Sequence, residues 1–90
     1  MKVKYFATYR DITRTKEEDV SVPQDIWALL QSLGERYQGF GAKLFTPDGS
    51  EVGEEIIILV NGRNIAHLDG KETKLSESDT VSIFPVVAGG

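Results

Sequence analysis

The chain has 90 residues, 40% of them hydrophobic and 27% charged, with a net charge of −4 and a pI of about 4.9. That is the composition of one small folded domain, able to bury roughly 60–65% of its unfolded surface, and it excludes intrinsic disorder. With no cysteine and one histidine, His67, thiol chemistry, disulfides and a histidine-built metal cage drop out, and the acidic balance argues against nucleic acid as a partner.

Lys2 to Arg10 reads as a strand, with Val3, Tyr5, Ala7 and Tyr9 alternating against Lys2, Lys4, Phe6, Thr8 and Arg10. A polar turn region, DITRTKEED, leads to a short second strand over Asp19–Pro23, which pairs with the first as a hairpin. Pro23 ends that strand, and a helix is predicted from Gln24 to about Gln38. Ile26, Leu29, Leu30, Leu33 and Tyr37 fall on one face of it, Asp25 stands at its positive end, and Gly39 and Gly41 stop it. Trp27, on the flank of the apolar stripe, reads as a packing residue at the core edge. A loop carrying Pro47, Asp48 and Gly49 precedes EIIILV (Glu55–Val60), a buried strand. Asn61-Gly62 is a hairpin turn that returns the chain as RNIAHL, a short strand in which His67 is structural. A looped stretch follows, then a last strand over Thr80–Pro85.

The order is β-β-α-β-β-β, one helix covering one sheet. That is an α+β domain spanning residues 1–90, with the first and last strands parallel in the middle, the arrangement of the β-grasp or ubiquitin-like fold. The longest apolar run, Ile56–Val60, is too short to cross a bilayer, and MKVKYFATYR lacks the apolar core of a signal peptide. The expected location is the cytoplasm, with no membrane partner.

Strand parity has a consequence for two aromatic rings. If Val3, Tyr5, Val81 and Ile83 point at the helix, Phe6 and Phe84 point away from it, as a pair on a polar face. Aromatic residues are enriched as interface anchors, so the pair reads as a docking patch. It stands at the root of a tapering tail. Pro85 lacks an N–H and marks where the chain leaves the sheet. Val86 and Val87 favour extension, and Ala88, Gly89 and Gly90 shed bulk. Five residues beyond Pro85 reach about 17 Å. The tip offers one reactive group, the α-carboxylate of Gly90, which needs activation before it can acylate anything.

MKVKYFATYRD at the start, LVNGR in the middle and DTVSIFPVVAGG at the end resemble the MoaD/ThiS group of ubiquitin-like sulfur carriers, and the likeness runs the length of the chain. YFA with Arg10 is most similar to the small subunit of molybdopterin synthase. The resemblance implies a non-catalytic carrier that binds no cofactor itself. A MoeB-like adenylating enzyme would join Gly90 to AMP using ATP and magnesium, and a sulfur donor would convert the adenylate to a thiocarboxylate. The tail would then enter the large subunit of molybdopterin synthase and give sulfur to a precursor pterin. It also implies that Phe6, Phe84, Pro85, Val86, Val87 and Ala88 contact partners, with Gly89 and Gly90 as the functional tip. The tail departs from the common Pro-Pro pattern, having Pro85-Val86, and the region from Gly39 to Glu55 is long. Both features leave two other roles open: a ubiquitin-like modifier forming isopeptide bonds through Gly90, and a thiazole sulfur carrier.

Overall fold

The structure, a computed structural model, describes residues 1–86. Five strands form one mixed sheet. They are β1 (Lys2–Tyr5), β2 (Glu17–Asp19), β3 (Ile56–Val60), β4 (Arg63–Asn64) and β5 (Thr80–Pro85), in the spatial order β2-β1-β5-β3-β4. β1 and β5 are parallel neighbours at the centre, with Tyr5 opposite Ile83, and the outer pairings are antiparallel. This is the β-grasp arrangement that the element order implied.

The main helix, α2 (Ile26–Arg36), covers one face of the sheet. It starts where the Asp25 carboxylate accepts the Ala28 N–H at 2.9 Å, so the acidic residue acts as an N-cap. Ile26, Leu29, Leu30 and Leu33 are buried against Val3, Tyr5, Ile58, Val81 and Ile83 of the sheet. Burying each such side chain is worth about 1.5–3 kcal/mol, so this one contact holds the two layers together. Asn61 and Gly62 both take positive φ, 52° and 85°, as a two-residue hairpin between β3 and β4 requires.

Four elements differ from expectation. β1 stops at Tyr5, because Ala7 turns to φ 53° and the chain enters a short helix, α1 (Thr8–Thr13). Ala7 is exposed rather than inward-facing, while Tyr9 and Thr13 are buried one turn apart. The second strand is the charged segment Glu17–Asp19 instead of Asp19–Pro23, as suits a sheet edge that must not recruit other strands. The RNIAHL segment pairs only through Arg63–Asn64, and His67 is exposed in a 3-10 turn (Ile65–His67). A further one-turn helix, α3 (Gly41–Leu44), follows α2 and buries Phe40 and Leu44 beside it.

The long loop after α3 is tied down at several points. Gly53 N–H donates to Leu44 O at 2.8 Å, and a Cβ on Gly53 would meet Lys43 O at 2.8 Å, so only glycine passes there without a shift. Lys71 Nζ donates to Ser50 O and to the Glu51 carboxylate, each at 2.9 Å, while standing 4.7 Å above the Trp27 ring. Trp27 itself packs edge-on to Phe45, with centroids 5.2 Å apart. It is the core-edge packing residue expected of it.

Candidate functional site

The uncovered face of the sheet is set by strand parity. Residues opposite one another in a ladder share a face. Lys4 faces Ser82 and Ser82 faces Leu59, while Phe84 faces Ile57. Phe6 lies one residue past β1, yet its N–H still donates to Ile83 O at 3.2 Å, which keeps it in step with the ladder. Its ring stacks on Phe84, with centroids 4.1 Å apart and planes within 10°. The two aromatics are therefore together, on the face the alternation assigned. They are half-buried rather than freely exposed, because each covers a side of the other.

Three further residues complete the patch. Ile57 and Leu59 are half-buried on the same face, beside Phe84 and Ser82. The run EIIILV had suggested burial on both sides, yet β3 alternates buried and half-buried along its length. The signal for Ile57 and Leu59 was the parity already applied to the neighbouring strands. Arg10 is the third: its Nε donates to Tyr5 O at 3.0 Å and its guanidinium lies 5.5 Å from the centre of the Phe6 ring. Its place on α1 could not be inferred while the segment read as a strand.

At the tail root, Pro85 is the last residue of β5 and stands opposite Ile56. The chain leaves the ladder one residue later than expected, since Val86 N–H donates to Glu55 O at 2.8 Å. Val86 is 49% exposed. Beneath the root, burial pushes the Tyr9 hydroxyl above its ordinary pKa, and the nearby Glu55 carboxylate adds to the effect. Val87, Ala88, Gly89 and Gly90, to which the sequence assigns the tail and its reactive tip, lie outside the described residues. Among the described residues no helix is long and apolar enough to cross a membrane.

Residues 3–90 match the ThiS family. Small archaeal modifier protein 3 of Haloferax volcanii is 37% identical over 92 residues, covering 100% of this chain and 98% of its own. The solution structure of small archaeal modifier protein 1 from Methanosarcina acetivorans superposes with a TM-score of 0.87 at 38% identity, over 99% of this chain and 94% of that one. A Pyrococcus furiosus chain described as a candidate molybdopterin converting factor, subunit 1, superposes with a TM-score of 0.76 at 28% identity, over 96% of this chain and 95% of that one.

Proposed function

The chain belongs to the ThiS family of ubiquitin-like sulfur carriers, and from that premise we propose that Gly90 is its working group, activated as an adenylate and converted to a thiocarboxylate. The carboxylate oxygen attacks the α-phosphorus of ATP and pyrophosphate leaves. A sulfur donor at the oxidation level of sulfide then attacks the acyl carbon, and AMP departs with the electron pair of the broken C–O bond. This chain supplies the substrate and the docking surface. The adenylating enzyme supplies the ATP site and its magnesium.

The observation that carries this reading is the Phe6–Phe84 stack standing one residue from Pro85. A carrier needs a rigid contact surface beside its reactive end, so that docking delivers the tip to another protein's active site. The stack, Ile57 and Leu59 are held by three adjacent strands, and Phe6, Phe84, Pro85 and Val86 meet the partner first. The sulfur acceptor in this reading is the precursor pterin of molybdopterin synthesis, bound by a large synthase subunit. The Pro85-to-Gly90 tail and the likeness to the Pyrococcus furiosus chain support it.

A second reading has its own support in the likeness to two archaeal modifier proteins. Here a lysine amine of a target protein attacks the activated Gly90 carbonyl and forms an isopeptide bond. Incubation with a cognate adenylating enzyme, ATP, magnesium and a sulfide source, followed by intact-mass measurement, tests the shared step. The expected product carries one sulfur in place of one oxygen at Gly90. Absence of both adenylate and exchange would overturn the proposal. Addition of the large synthase subunit and precursor then separates the readings: sulfur transfer supports the first, while Gly90-dependent conjugates on lysines of cell proteins support the second.

A further inference from the structure

Charge is distributed very unevenly along this acidic chain. Residues 1–16 hold five of the ten Lys and Arg residues and one of the fourteen acids, Asp11. Two of those cations are compensated in the fold: Lys2 pairs with Glu17 at 3.0 Å, and Lys4 stands opposite Glu17 in the β1–β2 ladder. The other three collect at one edge. Arg10 and Arg14 lie one turn apart at α1, and with Lys16 they line one shallow cleft that also includes Asp11 and Thr15. All three are exposed, and among the described residues none of them forms an ion pair.

The edge has a defined place relative to the tail root at Pro85 and Val86. β1 and β3 flank β5 on opposite sides. On the β1 side, α1 follows Phe6 directly and Arg10 lies over the stacked ring. On the β3 side stand Glu54 and Glu55, both exposed, with the Glu55 backbone carbonyl accepting from Val86 N–H. The apolar stack thus lies between a cationic flank and an anionic one. Interfaces are commonly built as an apolar centre with a polar rim, and a rim of opposite signs fixes orientation.

We propose that the Arg10–Arg14–Lys16 edge is an electrostatic docking surface for an acidic patch on the enzyme that adenylates the tail. This rests on the activation reading above. A carrier must leave its activating enzyme to reach an acceptor, so tight binding through slow release would hinder it. Long-range attraction raises the association rate without requiring slow dissociation. The partner surface facing α1 therefore carries Asp or Glu, and complementary charge meets Glu54 and Glu55 on the other side of the Phe6–Phe84 stack.

The test is ATP–pyrophosphate exchange by the cognate adenylating enzyme, followed against carrier concentration. The variant R14E/K16E is compared with R63E/K74E, which changes net charge equally but at sites outside the cleft. At ~50 mM salt, R14E/K16E should raise the KM for the carrier about tenfold with kcat unchanged, and R63E/K74E by less than about twofold. At ~1 M salt, where the Debye length is about 3 Å, the difference should largely vanish. Because Arg14 has φ 61°, a milder pair, Arg14→Asn with Lys16→Gln, guards against misfolding and should give about a threefold rise. Equal KM values for the two reversed pairs, or a difference indifferent to salt, overturn the docking proposal alone. Failure of the unaltered chain to support any exchange overturns the activation reading and the docking proposal together.

Discussion

Glu18 is the residue on which three elements converge. Its carboxylate accepts from Tyr5 Oη at 2.6 Å, from the Tyr37 hydroxyl and from the Arg36 guanidinium, joining β1, β2 and the end of α2. Tyr5 is fully buried, and burial, reinforced by its hydrogen bond to Glu18, raises its hydroxyl pKa well above the ordinary value. Glu18→Ala should therefore cost about 2–3 kcal/mol by leaving a buried hydroxyl without its acceptor. In a double-mutant cycle with Tyr5→Phe, read by urea denaturation, the costs should fall well short of additive. Additive costs would mean that the pair contributes nothing jointly. A second carboxylate works locally: Asp48 accepts from the Thr46 hydroxyl at 2.7 Å and from Ser50 N–H at 3.1 Å, and these bonds lower its pKa to about 2. Since the folded pKa is depressed, the unfolded chain takes up the proton first as pH falls. The contribution is complete above pH ~4 and is lost as pH drops toward ~2. Asp48→Asn should show a smaller fall in urea midpoint between pH 5 and pH 2.5 than the unaltered chain; equal falls would remove Asp48 from the account.

At the scale of elements, close approach and ring stacking set the next two expectations. Gly53→Ala places a Cβ 2.8 Å from the Lys43 carbonyl, a backbone atom that cannot swing aside, so a loss of about 1–3 kcal/mol is expected in thermal or urea unfolding. An unchanged midpoint would show that the loop shifts freely. Phe84→Lys should weaken binding to the adenylating enzyme at least about tenfold, measured by calorimetry. It should also cost about 1–2 kcal/mol, because the ring is half-buried against Phe6 rather than free. Phe84→Leu should keep most of the stability and lose part of the binding, and equal binding by all three chains would move the docking surface elsewhere. The elements that carry this face were legible where one periodicity stood alone. Ile26, Leu29, Leu30 and Leu33 fit only a helix, and Asn61-Gly62 fits only a tight hairpin. The segment after Tyr5 was not legible, because buried residues at 5, 9 and 13 satisfy the period of a strand and of a helix alike. The turn that decides between them is a positive φ at Ala7, a residue type that gives no warning of it. β2 was misplaced for a different reason: Val20 and Val22 look like strand residues, but the segment that pairs is the acidic edge before them. The aromatic pair was found because Phe6 keeps the parity of a strand it has already left.

Across the whole molecule, the core and the proposed chemistry occupy separate parts of the chain. Among the described residues, every buried core residue lies at or before Ile83, and the last backbone bond of the root is that of Val86 to Glu55. The sheet closes by pairing β1 with β5, the first element with the last, so folding is complete only when Thr80–Pro85 is in place. That closure is made by described residues, within 1–86. Deleting residues 87–90 leaves every described core residue and ladder bond in place, so the free energy of unfolding should shift by no more than about 0.5 kcal/mol. The same deletion should abolish adenylation while leaving the truncated chain a competitor for the enzyme, because the Phe6–Phe84 stack and the α1 edge remain intact. Appending one alanine after Gly90 is the sharper variant: it keeps every residue, restores a carboxylate, and moves that carboxylate about 3.5 Å further along the tail. If docking on the sheet face sets how far the tip reaches, the extended chain should bind and inhibit without being adenylated at an appreciable rate. Efficient adenylation of the extended chain would mean that the tail, and not the sheet face, finds the active site. Marked destabilisation by the deletion would mean that the tail belongs to the fold after all.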